Sequence, residues 1–181
     1  SAGFIIEEGF SMEKLHKIAK SMGDAAREAE VRIVTGDTKV VEKGAVDGVY
    51  INTTGVGAVM DGITISPGRV KPGQVVILSG SLGDHSVAVM ASRHGITLPD
   101  NVVSDCAPLN KMLQTVLSQV PEIAVMRDPT RGGLGTLLNE IAEQADVSIV
   151  IDEASLLVKP EVQAVCDLLG FDPLYLANEG K

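Results

Sequence analysis

Apolar residues recur every three or four positions in five stretches of the chain, which is the spacing of a helix with one buried face. The first stretch runs from Met12 to Ala29 and follows Ser11, a residue that commonly accepts the first free backbone N–H groups of a helix. The other stretches are residues 84–94, 108–119, 133–144 and 160–169, and the last opens on a proline. The pattern therefore predicts five helices.

Shorter apolar runs rich in β-branched residues predict strands between these helices. The predicted strands cover residues 31–35, 47–59, 75–78, 123–126 and 147–151. A turn at residues 42–45 favours a hairpin between the first two strands. In the second part of the chain, strands and helices alternate, which indicates an α/β fold class.

Glycine and proline interrupt every period between Met60 and Gly73, so this stretch is the best candidate for a linker. We place the domain boundary inside it and expect two domains, residues 1–68 and residues 69–181. The first residues, through Phe4-Ile5-Ile6, are apolar without an entry turn, and no element follows Leu174-Tyr175-Leu176. We therefore expect an internal fragment of a longer protein in which both domains are incomplete.

The amino-acid composition supports this fold class and limits the kinds of binding partner that are expected. Of the 181 residues, 45% are hydrophobic but only 3% are aromatic, so the core must rest on aliphatic side chains, as α/β layers do. The net charge of -9 opposes nonspecific attraction to nucleic acid and to anionic membranes. No apolar run approaches the ~18 residues of a membrane span, and no basic signal segment opens the chain. A cytoplasmic location is the default expectation.

The two cysteines, Cys106 and Cys166, belong to no metal-type pair, and we expect both to be reduced and partly buried. More chemistry is present in Gly36-Asp37-Thr38-Lys39, which lies where the predicted strand 31–35 ends. Asp37 suits Mg²⁺ as a hard oxygen ligand, and Lys39 suits a phosphate oxygen or the role of a tuned amine. Gly36 permits close approach of the backbone, and Thr38 adds a hydroxyl. An ordinary solvated turn is the alternative.

Two further polar clusters join a predicted strand to a helix, where free backbone N–H groups gather. In Ser79-Gly80-Ser81-Leu82-Gly83-Asp84-His85 we expect Asp84 to cap its helix. In the cluster 127–133, Thr130 is a candidate cap, while Asp128 and Arg131 exceed what a turn requires, and Arg131 suits a carboxylate or phosphate. A capped turn remains the alternative for both clusters.

A last cluster, Asn178-Glu179-Gly180-Lys181, follows an apolar run and offers one carboxylate. Glu179 is a candidate general base if its surroundings tune it. A charged segment that only faces water is the alternative reading.

Taken in order, the segments 33–41, 79–85, 103–107, 127–133 and 177–181 closely resemble the HypE family of [NiFe]-hydrogenase maturation proteins. The resemblance covers essentially the whole chain. It implies a two-domain fold like that of aminoimidazole ribonucleotide synthetase, an α/β (α+β) architecture of mixed sheets with flanking helices. Selenophosphate synthetase belongs to the same superfamily.

The resemblance also implies an activity. Members of the family use ATP to dehydrate a carboxamide carried on their own C-terminal cysteine, and the resulting thiocyanate supplies the cyanide ligands of the [NiFe] centre. They act as homodimers with ATP near the dimer interface, receive the carbamoyl group from HypF, and pass cyanide to a HypC–HypD complex. By resemblance, Asp37 is a Mg²⁺-ATP ligand, and Gly36, Thr38, Asp128 and Arg131 join it in the nucleotide site.

Lys39 and Glu179 become, by the same resemblance, the polar pair that surrounds the carboxamide and assists its deprotonation. The family's nucleotide-binding motifs are expected before Ser1 and its substrate-carrying cysteine beyond Lys181, so neither cysteine of this chain inherits that role. Ser86 stands where the family usually has glycine. Two alternatives remain open: another superfamily enzyme such as selenophosphate synthetase, and a non-catalytic segment that dimerises or docks to partners.

Overall fold

The computed structural model describes all residues from Ser1 to Lys181 and divides them into two compact units. Unit 1 comprises residues Ser1–Asp61, and unit 2 comprises Gly62–Lys181. The division falls inside the glycine- and proline-interrupted stretch 60–73. The more exact boundary between residues 68 and 69 stays a prediction.

Unit 1 contains a three-stranded mixed sheet and one long helix. Strands β1 (Ala2–Glu7), β2 (Gly36–Val41) and β3 (Val49–Thr53) lie in the order β2-β1-β3. The central strand β1 pairs parallel with β2 and antiparallel with β3. The mixed sheet and its helices confirm the predicted α/β class.

The predicted hairpin is wrong, because β1 lies between the two strands that it would have joined. The predicted strand 31–35 is also misplaced: the ladder begins at Gly36, so Gly36-Asp37-Thr38-Lys39 is part of a strand rather than its end. The register and extent of β2 are set by its hydrogen bonds to β1. The apolar pattern did not predict strand β1. The turn at residues 42–45 is present, with the N–H of Ala45 bonded to the carbonyl of Glu42 at 3.0 Å.

Helix α1 (Met12–Glu28) forms as predicted, and the Oγ atom of Ser11 accepts the backbone N–H of Lys14 at 3.4 Å. None of its residues is fully buried. Buried apolar side chains are correspondingly few in unit 1, where Ala2 and Ile6 of the central strand supply them.

Unit 2 is built on four helices, and each lies where the apolar periodicity predicts it. They are α2 (Asp84–His94), α3 (Asn110–Gln119), α4 (Gly133–Ala145) and α5 (Pro160–Leu169). Single turns of 3₁₀ helix at Pro67–Arg69, Glu153–Ser155 and Pro173–Tyr175 complete the regular structure.

The three strands predicted for unit 2 are wrong, since residues 75–78, 123–126 and 147–151 form no ladder. A strand requires a ladder of backbone hydrogen bonds to a neighbouring strand as well as an apolar sequence. The apolar side chains of these segments divide between core and solvent: Leu78, Val125 and Ile149 pack against the cluster around α4, whereas others are exposed. Ile77 is 86% exposed and Val150 is 93% exposed.

Two apolar clusters hold unit 2 together. One joins Val87 of α2 to Val162 and Cys166 of α5, and the other surrounds α4 with Leu134, Leu138 and their neighbours. Cys166 is buried as expected, whereas Cys106 is exposed; both are free thiols. None of the helices is long and apolar enough to cross a membrane.

Candidate functional site

The residues predicted to form the site fall in both units. Asp37 and Lys39 lie on β2 of unit 1, whereas Asp128, Arg131 and Glu179 lie in unit 2.

In unit 1, the register of the sheet places Asp37 and Lys39 on one face. Asp37 lies opposite Gly3 of β1, and Lys39 lies opposite Ile5. Because side chains alternate along a strand, Asp37 and Lys39 share the face of Ile5. On the far side of β1, Tyr50 lies opposite Ile5. Ile5 is 42% exposed and Tyr50 is 54% exposed, so this face of the sheet is open.

The opposite face of the sheet carries Ala2 and Phe4, which line a groove of about 640 Å³ together with Ala19 and Met22 of α1. The groove also reaches residues 33–38 and therefore includes Asp37 and Thr38. Its volume is in the range of small-molecule sites, and its lining is about equally polar and apolar. Phosphate groups would meet polar side chains only near β2.

Gly36 is required by the sheet itself. A Cβ atom at this position would lie 2.3 Å from the carbonyl oxygen of Ala2. The close neighbour that excludes a side chain is therefore strand β1. Beside it, the carboxylate of Asp37 accepts the backbone N–H of Thr38 at 2.8 Å.

In unit 2, the segment 177–181 that carries Glu179 is held by three other segments that carry the family resemblance: 79–85, 103–107 and 127–133. Asn178 is fully buried: its Oδ1 atom accepts the N–H of Gly83 at 2.8 Å, and its own N–H donates to the carbonyl of Pro129 at 3.1 Å. The hydroxyl of Thr130 donates to the carbonyl of Asn178 at 3.1 Å. Thr130 therefore does not cap α4, contrary to prediction, since it bonds to this segment instead.

Asp105 holds the next residue. One carboxylate oxygen of Asp105 accepts the backbone N–H of Glu179 at 3.0 Å, and the other lies 2.9 Å from the ammonium of Lys181. Between them, Gly180 passes so close to Asp105 that a Cβ atom would lie 1.8 Å from its carbonyl oxygen. The backbone at Glu179 is thus fixed from both sides.

Asp84 does not cap α2 as predicted, because Gly83 occupies the N-cap position and Asp84 is the first helical residue. Its side chain is 3% exposed and lies between the ammonium groups of Lys159, at 3.0 Å, and Lys181, at 3.3 Å. The hydroxyl of Ser81 donates to the same carboxylate. Together with Asp105, these groups form a cluster of two acids and two amines in which Lys159 alone is partly exposed, and we call it the four-charge cluster: Asp84, Asp105, Lys159 and Lys181.

The surroundings of Asp84 favour its charged form. Burial alone would raise the pKa of this carboxyl, but the Ser81 hydrogen bond and the charges of Lys159 and Lys181 outweigh burial and hold its pKa below the ordinary value. The carboxylate of Asp84 therefore stays charged at neutral pH and holds the ammonium of Lys181, the last residue of the segment 177–181.

The carboxylate of Glu179 remains accessible, with 34% of its side chain exposed. Its Oε1 atom lies 3.9 Å from Nε2 of His85. Asp128 and Arg131 are also exposed. No group of three or more His, Cys, Asp or Glu side chains that could hold a metal ion by itself occurs in the chain. A Mg²⁺ ion carried by a triphosphate needs only one or two carboxylates from the protein, and the exposed Asp37 fits that requirement.

Sequence reasoning missed the four-charge cluster. Asp105 and Lys181 lie in segments that it singled out, yet it gave neither a role, and Lys159 carried no local signal. Pairing over such separations in sequence depends on the tertiary fold. Asn178, a polar residue after an apolar run, offered the best sequence clue to a buried contact.

These features of fold and site coincide with a family match. Residues 71–181 match the model of the C-terminal domain of AIR synthase related proteins, and residues 1–59 match that of their N-terminal domain. The chain belongs to the AIR synthase related family.

Within that family, the chain is similar to carbamoyl dehydratase HypE of Cupriavidus necator, with 52% identity over the whole chain. A crystal structure of the hydrogenase maturation protein HypE in complex with ATP matches 99% of the chain at 48% identity, with a TM-score of 0.96. A HypE–HypF complex matches at 49% identity and a TM-score of 0.94, over 99% of this chain and 59% of that one. The resemblance to the HypE family is thereby confirmed. The chain spans about half the length of the curated relatives it matches, 52% for the C. necator protein and 53% for the ATP complex.

Proposed function

We propose that the full-length protein containing this chain is an ATP-dependent carbamoyl dehydratase of [NiFe]-hydrogenase maturation. Its substrate is the S-carboxamide of a C-terminal cysteine, and its product is the thiocyanate that supplies cyanide to the metal centre. The proposal rests on the segment 177–181. Hydrogen bonds to Gly83 and Asp105 fix its backbone, while the carboxylate of Glu179 stays accessible. The names of the curated relatives favour this activity over selenophosphate synthesis.

The chemistry requires an activated oxygen and the loss of protons from nitrogen. An amide oxygen is a poor leaving group, and bound Mg²⁺-ATP supplies its phosphorylation. One N–H proton is lost when the oxygen is phosphorylated. The carboxylate of Glu179 accepts the other as the C–O bond breaks, phosphate leaves with the former amide oxygen, and the nitrile forms. Lys39, as an ammonium, stabilises negative charge on the reacting group; while protonated it cannot serve as a base.

Each unit contributes its own candidate nucleotide-binding residues. Asp37 would hold Mg²⁺, with Gly36 and Thr38 beside it on β2, and the guanidinium of Arg131 would meet phosphate oxygens. Asp128 joins this set as a second exposed carboxylate in unit 2.

The partners follow from the same proposal. The HypE–HypF complex supports HypF as the donor of the carbamoyl group, and a HypC–HypD complex would accept the cyanide. Homodimerisation would cover the open sheet face that carries Ile5 and Tyr50. Two free cysteines suit the reducing cytoplasm.

The test uses Lys39→Ala and Glu179→Ala in the full-length protein. Calorimetry with Mg²⁺-ATP should show binding close to that of the wild type, whereas conversion of carboxamide to nitrile should fall by at least about 100-fold. Wild-type turnover in either variant would overturn the assignment. Intact folding without any saturable ATP binding by the wild type would favour the non-catalytic docking role.

A further inference from the structure

A second ionisable side chain faces the carboxylate of Glu179. His85 is the second residue of α2, its side chain is 25% exposed, and its Nε2 atom lies 3.9 Å from Oε1 of Glu179. The proposed reaction gives this histidine no role.

The orientation of the His85 ring is fixed from its other side. Nδ1 lies 2.9 Å from the hydroxyl oxygen of Ser104, and that oxygen also accepts the backbone N–H of Cys106 at 3.2 Å. In the tautomer whose ring proton is on Nε2, Nδ1 accepts the Ser104 hydroxyl proton and the Nε2–H group faces Glu179. The imidazole is therefore held between a hydroxyl that its loop fixes and the candidate base.

The other charged groups nearby are engaged elsewhere. Lys181 directs its ammonium to Asp84 and Asp105, at 3.3 Å and 2.9 Å, and Asp105 uses its remaining oxygen for the backbone N–H of Glu179. The four-charge cluster thus fixes the backbone of Glu179. His85 is the neighbour that approaches the carboxylate itself.

We propose that His85 is a positioning residue for Glu179, which rests on the proposed function of that carboxylate. Its Nε2–H group holds the carboxylate in the direction of the bound carboxamide. A separation of 3.9 Å is longer than a hydrogen bond, and contacts of this kind commonly shorten when substrate binds. Misplacement by about 1 Å at such a group costs up to about 100-fold in rate.

A purely structural role is the competing explanation, in which His85 only joins α2 to the Ser104 loop. Two isosteric substitutions separate these roles. His85→Asn can place its side-chain amide oxygen near the position of Nδ1, where it accepts from the Ser104 hydroxyl, while His85→Gln can place an amide nitrogen near Nε2 and so retain the donor that faces Glu179.

The experiment measures turnover of the carboxamide and the KM for ATP in the full-length protein, with folding checked by circular dichroism. The proposal expects His85→Asn to lower kcat by about 10- to 100-fold with the KM for ATP within about twofold, and His85→Gln to retain clearly more activity than His85→Asn. Equal activity of the two variants, or more activity in His85→Asn, would overturn it.

A measurement in the native fold covers the case in which either variant fails to fold. With ¹⁵N-labelled histidine, Glu179→Gln should move the Nε2 resonance of His85 and leave its Nδ1 resonance in place; an unmoved Nε2 resonance would overturn the proposal. Glu179→Ala distinguishes a failure of the proposed function from a failure of the role of His85 alone. Full turnover in Glu179→Ala refutes the proposed function, whereas an inactive Glu179→Ala beside a fully active His85→Asn refutes only the role of His85.

Discussion

The candidate residues of unit 1 and those of unit 2 are held in opposite ways. In unit 1, Asp37 and Lys39 stand on an exposed strand of a small sheet with few buried side chains. In unit 2, Glu179 stands on a segment fixed by the buried Asn178 and by the four-charge cluster. The difference teaches that unit 2 fixes the backbone of the candidate base Glu179 through its own packing, whereas Asp37 and Lys39 of unit 1 lie on an open sheet face.

The largest expected loss of stability follows from a substitution of Asp84 in unit 2. Asp84→Asn leaves the ammonium groups of Lys159 and Lys181 without their shared carboxylate, and breaking a buried pair in this way costs about 3–5 kcal/mol of unfolding free energy. The matched control, Asp37→Asn, removes an exposed carboxylate of unit 1 and should stay within about 0.5 kcal/mol. Urea unfolding measures both, and equal stability of the two variants would refute the contrast.

Lowering the pH provides a second test of the stabilising role of Asp84. Because the pKa of Asp84 is lower in the folded state than its ordinary value of 3.8, its charge stabilises the fold above that value. This contribution is lost as the pH falls through the lowered folded pKa. Unfolding measured between neutral and acid pH should therefore show a loss of stability that Asp84→Asn lacks. An identical pH dependence in wild type and variant would exclude this role for Asp84.

A smaller effect is expected at Gly180. An alanine Cβ would lie 1.8 Å from the carbonyl oxygen of Asp105, so the segment must shift, at a typical cost of about 1–3 kcal/mol, and Glu179 must shift with it. Gly57→Ala in unit 1 is the control, since its Cβ would meet no atom within 4 Å. Turnover and thermal unfolding of both variants would test this. Unchanged turnover in Gly180→Ala would show that the position of Glu179 is not critical.

The smallest effect concerns Ser86, whose hydroxyl donates to the carbonyl of Ala177 at 3.1 Å. Ser86→Ala removes this contact and should cost about 0.5–1.5 kcal/mol in the free energy of unfolding. Ser118→Ala is a suitable control, because its hydroxyl bonds only within its own helical turn, to the carbonyl of Thr115. If both variants lose the same stability, the Ser86 contact adds nothing specific to the segment 177–181.

Local sequence signals predicted the helices well. The periodicity of α1, the proline that opens α5 and the glycine-rich start of α4 all act within a few residues, where propensity and backbone freedom are decisive. The strands were predicted poorly, since β1 determines the register of β2 and no ladder forms over residues 75–78. Strand formation depends on a partner that periodicity does not reveal.

The candidate site, like the strands, depends on partners that are distant in the sequence. Glu179 and Lys39 were identified as chemical candidates from their clusters and from the family resemblance. The contacts that fix Glu179 join residues more than 70 positions apart, such as Asp105 with Lys181. A pattern along the chain cannot indicate such pairs, because burial in the tertiary fold creates them.

The central claim is that Glu179 removes the proton that allows the carboxamide to become a nitrile. Mass spectrometry of the full-length protein, carbamoylated on its C-terminal cysteine and mixed with Mg²⁺-ATP, tests this claim most directly. The account predicts that the wild type loses the mass of one water while Glu179→Gln keeps the intact carboxamide. Loss of water from Glu179→Gln at the wild-type rate would contradict it.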